Sequence, residues 1–567
     1  MGERSGNLKT RRSFFGSANI SGAGSTIRFF KNTVSKSLGA LAEKFIYTST
    51  RSYGAMSLAY GLLSLVFEFG RSFLTASVTP DIPSAVIGAV FVLLGALLLI
   101  FDKPMCLFLQ DFPVTDFILF DFFSIRRLNK DDKVRGIPLL LAVLLGFIPA
   151  IAGAFFSQVY VVLALALLVF VSTSFITPEF PLIFTVLIAP YLSPIPDTGI
   201  ILALLSLLSF VSFAMKVAVG KRVWHFEIYD AMFIVLSLIF FVGGLVVNDV
   251  ANALVMVALT LAYVPSSNLI VNRRLADCAV NALIVSSVPI ALVSAVKFVI
   301  SLFGGSFNGK LIFTTPDAYG AFLLISAIFS FSFALEKKHA YKKVFYYAIF
   351  AVELFNIAVT LNPGLWLAAL VSIISYFIIK AHKMRKEIII LLITLPYLLF
   401  LLPEAVFDKI SLIFLMEESF TEILAEWRAS FAVLLDNIFF GIGFGSATPS
   451  GNTFLSLSVN FGIFAFAIIA LLFLVRLVHL SAFGVYLRSS LLSLIGEAGA
   501  LALVALISFG MSADVFSDIT VYLIFVLVFA LLSASLRIAK NEHDERISYY
   551  GDQRSPDSSD ISIRFTR

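Results

Sequence analysis

The sequence predicts an all-α, polytopic integral membrane protein: a bundle of about 14–16 transmembrane helices with one large external loop. Three observations lead there. Hydrophobic residues make up 59% of the 567 residues and charged residues 14%, with 60 Phe and a mean hydropathy of +0.97. A soluble globule of that composition would set far too much apolar surface against water. Long apolar runs recur along the chain, and a bilayer core about 30 Å thick takes roughly twenty such residues per helix, with every backbone group satisfied internally. Lys and Arg collect in alternate links between those runs, as cytoplasmic loops do.

The first run, 53–74, is interrupted by Glu68 and Arg71 and reads about as readily as an interfacial helix as a crossing one. The others are 84–101, 137–156, 158–176, 179–193, 199–217, 227–247, 250–271, 276–303, 317–335, 344–361, 364–381, 387–402, 453–475, 491–510 and 519–537. They divide the chain into five parts. Residues 1–52 form a basic cytoplasmic segment without the charged start, short apolar run and cleavage site of a signal peptide. A central bundle spans 53–402, a large extracytoplasmic loop 403–452, and the last membrane helices 453–537. Residues 538–567 form a polar, Ser- and Asp-rich cytoplasmic tail expected to be disordered.

Sidedness follows from the basic groups. With the N-terminal segment inside, Arg126-Arg127, Lys221-Arg222, Arg273-Arg274, Lys337-Lys338, Lys383-Met384-Arg385-Lys386, and Arg476 with Arg488 all fall on the same side, provided that 53–74 crosses or parity changes equivalently before Arg126. The chain is then a multi-pass protein of the cell membrane with both termini cytoplasmic. His225, His339, His382, His479 and His543 all come out inside as well, which leaves no histidine for external chemistry. Cys106 and Cys278 are too far apart and too apolar in setting for a disulfide framework or a metal site.

The stretch from Pro403 to Asn452 carries the chemistry. It is polar and glycine-punctuated in an otherwise apolar chain, and long connections of this kind tend to be functional. Its Glu426-Trp427-Arg428 is followed by Asp436-Asn437, by Gly441-Ile442-Gly443-Phe444-Gly445-Ser446 and by Gly451-Asn452-Thr453-Phe454-Leu455. Arg428 is the natural clamp for an external anion, because a guanidinium stays charged and offers a planar fork to phosphate oxygens. The other external cations reduce to Lys409, Lys310, Lys297 near its helix end, and Arg71 if that end lies outside. Gly441, Gly443 and Gly445 lack the strand–turn–helix setting of a nucleotide loop and read as a turn into the next helix.

These residues resemble the O-antigen ligases and Wzy-type polysaccharide polymerases. That family combines many helices and a large external loop with an arginine and tryptophan ahead of a Gly-x-Gly turn and an Asn-x-x-Leu start to the next helix. The matching stretches are Glu426-Trp427-Arg428 through Gly445, Gly451 to Leu455 and Asn460-Phe461-Gly462-Ile463. Weaker echoes are Pro316-Asp317-Ala318-Tyr319 and Leu361-Asn362-Pro363-Gly364-Leu365-Trp366, so the resemblance covers roughly residues 310–537. Gly451 stands where the family usually has a histidine, and Asn362-Pro363-Gly364 where it has Ser-Arg-Gly.

The resemblance implies transfer of a saccharide from a polyprenyl-diphosphate carrier to an acceptor, without metal, cofactor or nucleotide sugar. Its implied partners are the lipid-linked glycan, membrane lipids and other cell-envelope polysaccharide assembly proteins, with no nucleic acid. On this reading Arg428, helped by Lys409, Lys310 or Lys297 and flanked by Trp427 and Asn452, binds substrate. Glu426, Glu422 or Asp436 replaces the absent histidine as base.

Three alternatives stay open beside it. Intramembrane Glu353 and Lys297, holding a proton or pairing with each other, suit a glycan or lipid flippase-type transporter. Asp81, in Thr79-Pro80-Asp81-Ile82-Pro83, occupies the place of a catalytic carboxylate in a first external loop. A non-catalytic family member would act as a scaffold in glycan assembly. Asp131-Asp132, among Asn129, Lys130 and Lys133, read as solvated charge.

Overall fold

The computed structural model describes residues 48–74, 82–111, 136–155, 157–195, 197–220, 222–302, 313, 315–336, 340–360, 362–380, 417–443, 451–486 and 490–552. These residues are mostly helical, with a single isolated bridge between Ser49 and Pro104. Among the described residues ten helices are long and apolar enough to cross a membrane, and four shorter apolar helices accompany them. Large apolar side chains stand exposed along the flanks, among them Leu140, Phe155 and Leu163. That much apolar surface is stable only against lipid. The protein is an all-α, polytopic membrane bundle.

Two compact units make up the chain. The first holds α1 (Thr50–Leu74), α2 (Ile82–Leu99), α3 (Met105–Asp111), α4 (Leu139–Phe155) and the start of α5 (Gln158–Ile176). Its α1 and α2 pack with their backbones nearly touching. A Cβ on Gly61 would lie 2.6 Å from the Gly88 carbonyl, and one on Gly95 2.8 Å from the Gly54 carbonyl. Small residues seven apart on each helix allow this, as helices in lipid gain from close packing. The Thr50–Gly70 stretch of α1 is among the ten long apolar helices, despite Glu68.

The second unit contains the rest of α5, then α6 (Glu179–Leu192), α7 (Thr198–Ala218), α8 (Ile228–Val247), α9 (Val250–Leu261), α10 (Tyr263–Leu269), α11 (Arg273–Leu302), α12 (Pro316–Glu336), α13 (Ala340–Val359), α14 (Pro363–Lys380), α15 (Glu417–Asp436), α16 (Thr453–Phe461), α17 (Ile463–Tyr486), α18 (Ser490–Gly510), a 3-10 turn at Val515–Ser517 and α19 (Ile519–Asp552). Its core is aromatic. Phe233 stacks on Tyr263 with ring centroids 4.1 Å apart, and Phe529 meets both edge-on. The most enclosed spans are those of α12 and α19, each 83% buried, which places them at the centre of this unit.

Four expectations change. The predicted run 453–475 is two helices broken at Gly462, whereas 250–271 holds one apolar span, Val250–Leu269, that stays helical in backbone conformation through Ala262. The segment taken as a loop contains the 20-residue helix α15. Trp427, Ser430 and Leu434, at helical spacing, turn inward, while Arg428 and Asp436 are exposed. The tail expected to be disordered is helical to Asp552, because Lys540, Glu542 and Asp544 suit a solvated helix and Glu542 pairs with Arg273 through a 2.6 Å bond from its Nε. Arg476, read as a loop cation, is fully buried instead. It lies over the rings of Tyr229 and Phe529 and donates to the Ser533 hydroxyl at 2.9 Å and the Phe529 carbonyl at 3.2 Å. The predicted run 387–402, Asp81 and Asp131-Asp132 lie outside the described residues.

Candidate functional site

The break at Gly462 organises one end of the second unit. Gly462 has φ +81°, and a Cβ there would sit 2.0 Å from the Phe439 carbonyl. Only glycine admits both the conformation and the approach. Because α16 stops here, the carbonyls of Val459 and Asn460 lack helical partners. The turn after α15 supplies them: Ile442 N–H donates to Val459 at 2.9 Å and Gly443 N–H to Asn460 at 3.1 Å, while Ile463 N–H donates back to the Ile438 carbonyl at 2.8 Å. The Gly-Ile-Gly stretch is therefore a structural dock.

At the other end of α16, Asn452 is the N-cap. Its side-chain oxygen accepts from the N–H groups of Phe454 and Leu455, and its Nδ2 donates to the Met511 carbonyl at 3.2 Å. The cap holds α16 in register with the link between α18 and α19. Thr453 Oγ1 reinforces this by donating to the Ala513 carbonyl and accepting from Val515 N–H, both at 2.8 Å.

One turn on, the Ser456 hydroxyl donates to Asp514 Oδ2 at 2.6 Å, and Asn460 Nδ2 donates to Ser456 Oγ at 3.3 Å. Burial pushes Asp514 up to about 6, opposed by the Ser456 hydroxyl and the Ser517 backbone and aided by the charge of Asp317. Asp317, in the first turn of α12, accepts from Asn362 Nδ2 at 2.7 Å, and Asn362 Oδ1 in turn accepts from Leu365 N–H at 3.2 Å at the start of α14. The N-termini of α12, α14 and α16 thus meet around two interacting carboxylates.

The predicted residues distribute as follows. Glu426 comes against Gly451, where a Cβ would lie 2.8 Å from its Oε2; Gly451 has φ +57°. The carboxylate occupies the room that a side chain at Gly451 would take. Arg428, two positions along α15, points elsewhere, because residues two apart on a helix do not share a face. It stands exposed on a face shared with Phe431 and Leu435, which are 53% and 56% exposed. The Trp427 indole Nε1 and the Ser430 hydroxyl are buried without a hydrogen-bond partner. Asp436 is exposed at the end of α15, and Lys297 is half-buried near the C-terminus of α11. Lys409, Lys310 and the Glu422 side chain lie outside the described residues. Asp514 was not singled out from the sequence.

The two ends of this unit differ in charge. Asp249, Asp317, Glu426, Asp436, Asp514 and Asp518 gather at the end just described, and Asp518 accepts from Ser193 at 2.9 Å. At the opposite end stand Arg222, paired with Glu179, Arg273, Arg274 and Arg537, with Arg537 3.9 Å from Glu227. His225 is there too, its pKa lowered by partial burial and by Arg537. Among the described residues no group of three or more His, Cys, Asp or Glu side chains is placed to hold a metal ion. No protein-family model matches this chain, and no curated protein matches it.

Proposed function

We propose that this chain is an O-antigen ligase-like glycan transferase or polymerase, which moves a saccharide from a polyprenyl-diphosphate carrier to an acceptor at the outer face of the cytoplasmic membrane. The observation that carries the reading is the two-sided character of α15. One face sets Arg428 at the head of the exposed apolar stripe of Phe431 and Leu435, which suits an amphiphile with an anionic head and a hydrocarbon tail. The other face brings Glu426 to Gly451 and Asn452, at the start of the helix that holds Asp514.

The chemistry follows from these positions. The acceptor hydroxyl forms a bond to the anomeric carbon as the bond from that carbon to the diphosphate breaks. Arg428 takes up the charge on the departing lipid diphosphate. The hydroxyl proton passes to a carboxylate of the cluster. Asp514, with a pKa of about 6, is ionised at neutral pH yet basic enough to accept it. Sidedness rests on charge: the basic end carries the Lys and Arg that favour the cytoplasm, which leaves the acidic end outside. The test is transfer in vitro with purified protein and polyprenyl-diphosphate glycans. Wild type should form glycosidic bonds, while Arg428→Ala and Asp514→Asn should leave donor unconsumed. Full activity in both variants removes the proposal, and movement of the donor across vesicles without bond formation favours a transporter.

A further inference from the structure

Glu353 lies in the middle of α13 with no exposed surface, among hydroxyls rather than charges. Ser287 of α11 donates to its Oε1 at 2.5 Å, and Ser326 of α12 donates to Ser287 Oγ at 3.0 Å. Ser330, one turn further along α12, is close enough to interact with the carboxylate but makes no hydrogen bond of good geometry. All three serines are fully buried. Two oxygens remain without partners, Glu353 Oε2 and Ser330 Oγ. Asn356, three residues along the same helix, spends its Nδ2 on the carbonyls of Ala291 and Val352 and leaves Oδ1 unpartnered as well.

An ionised carboxylate in the interior of a membrane bundle costs several kcal/mol unless its charge is balanced. The described titratable groups on the helices packed against it are Arg273, Arg274, Asp277, Cys278 and Lys297 on α11, Asp317 and Tyr319 on α12, and Tyr376 on α14. Of these only Tyr319 interacts electrostatically with Glu353, and Tyr319 brings no positive charge. The expected pairing with Lys297 is not what holds Glu353. A single negative charge ringed by hard oxygen atoms, two of them free to take a further contact, matches one small monovalent cation. A divalent ion would leave an uncompensated positive charge.

We propose that Glu353, with Ser287, Ser326 and Ser330 around it, is an exchangeable monovalent-cation site in the membrane interior, filled by a proton or a sodium ion. It is separate from the acidic end of the unit and does not depend on the transfer chemistry. Occupancy neutralises the carboxylate and completes the contacts of Oε2 and Ser330, which ties α11, α12 and α13 together. Loss of the cation leaves a bare charge among them and loosens that triple contact.

The experiment is thermal unfolding of the purified full chain in lipid nanodiscs, run against pH at fixed sodium and against sodium at fixed pH, with choline replacing sodium to hold ionic strength. Wild type should show a midpoint that rises with one of the two ions, and the responsive ion identifies the occupant. Glu353→Gln should lose that response, since the amide carries no charge to balance. Ser330→Ala, which keeps the carboxylate, should displace the transition by about one pH unit, or the sodium dependence by about tenfold, as expected for one hydrogen bond to a charged group. The Ser330→Ala arm decides the matter if Glu353→Gln does not fold. A wild type indifferent to both ions, or variants that respond as wild type does, would overturn the proposal.

Discussion

The hydroxyl of Ser456 and the carboxylate of Asp514 are 2.6 Å apart, a bond between residues 58 positions apart that fixes the first turns of α16 against the link between α18 and α19. It holds a half-buried carboxylate one turn from the cap residue Asn452, and Gly451, which precedes that cap, lies against Glu426. The proposed chemistry turns on this relationship.

Asp514→Asn should therefore lower transfer by roughly 10²–10⁴-fold, the usual loss for a general base. In wild type the rate should fall as the pH drops through about 6, where Asp514 takes up its proton. Glu426→Gln with Asp514 intact separates the two carboxylates: a flat acid limb in Asp514→Asn alone assigns the base. An unchanged pH–rate profile in Asp514→Asn refutes this assignment.

The same carboxylate couples to stability with a definite sign. Its folded value of about 6 lies above the ordinary 3.8, so the folded state binds the proton more tightly. The stabilising contribution is complete below about 4 and is lost as the pH rises through about 6. Wild type should lose about 1–3 kcal/mol over this interval relative to Asp514→Asn, read from unfolding midpoints of the two proteins side by side. A difference that grows toward low pH contradicts the burial of Asp514.

Gly462→Ala should be far more damaging than its size suggests. The backbone conformation alone costs about 1–3 kcal/mol for a residue with a side chain. The added methyl also meets the Phe439 carbonyl at 2.0 Å. Folded yield should drop steeply, whereas Gly70→Ala, with open space around it, should fold normally. Equal yields would show that the dock between the turn and the helix break is dispensable.

Arg476 tests the buried side of the bundle. Arg476→Ala removes the stack on Tyr229 and Phe529 and leaves a void, at a cost of about 3 kcal/mol. Arg476→Met fills much of that volume and removes the buried Nε and Nη1, which have no partners, so it should cost less. Thermal unfolding in detergent gives the order, and a methionine variant weaker than the alanine variant contradicts it.

Helix placement was legible because hydropathy summed over twenty residues reports burial in lipid well. Such a sum is blind to the backbone, which is why the break at Gly462 disappeared into a single run. Helix α15 was hidden by the carboxylates and glycines around it, although Trp427, Ser430 and Leu434 carry an inward spacing. Arg476 looked like a loop cation because charge at the end of an apolar run usually is one; only packing reveals its aromatic bed. Within the site, Asp317, Asn362, Glu426 and Asn452 were readable from motif stretches that the fold brings to one end. Asp514 sits with Asp518 in a short link, Met511 to Asp518, outside the stretches that carry the motif. The contact with Ser456 is what brings it into the cluster.

Sidedness decides the whole account. With Cys106 and Cys278 replaced by serine, a single cysteine at Asn437, exposed at the acidic end, is compared with one at Arg274 at the basic end, using a membrane-impermeant maleimide on intact cells. The account predicts labelling of Asn437→Cys in intact cells and of Arg274→Cys only after permeabilisation. The reverse pattern would put the carboxylates in the cytoplasm and contradict it.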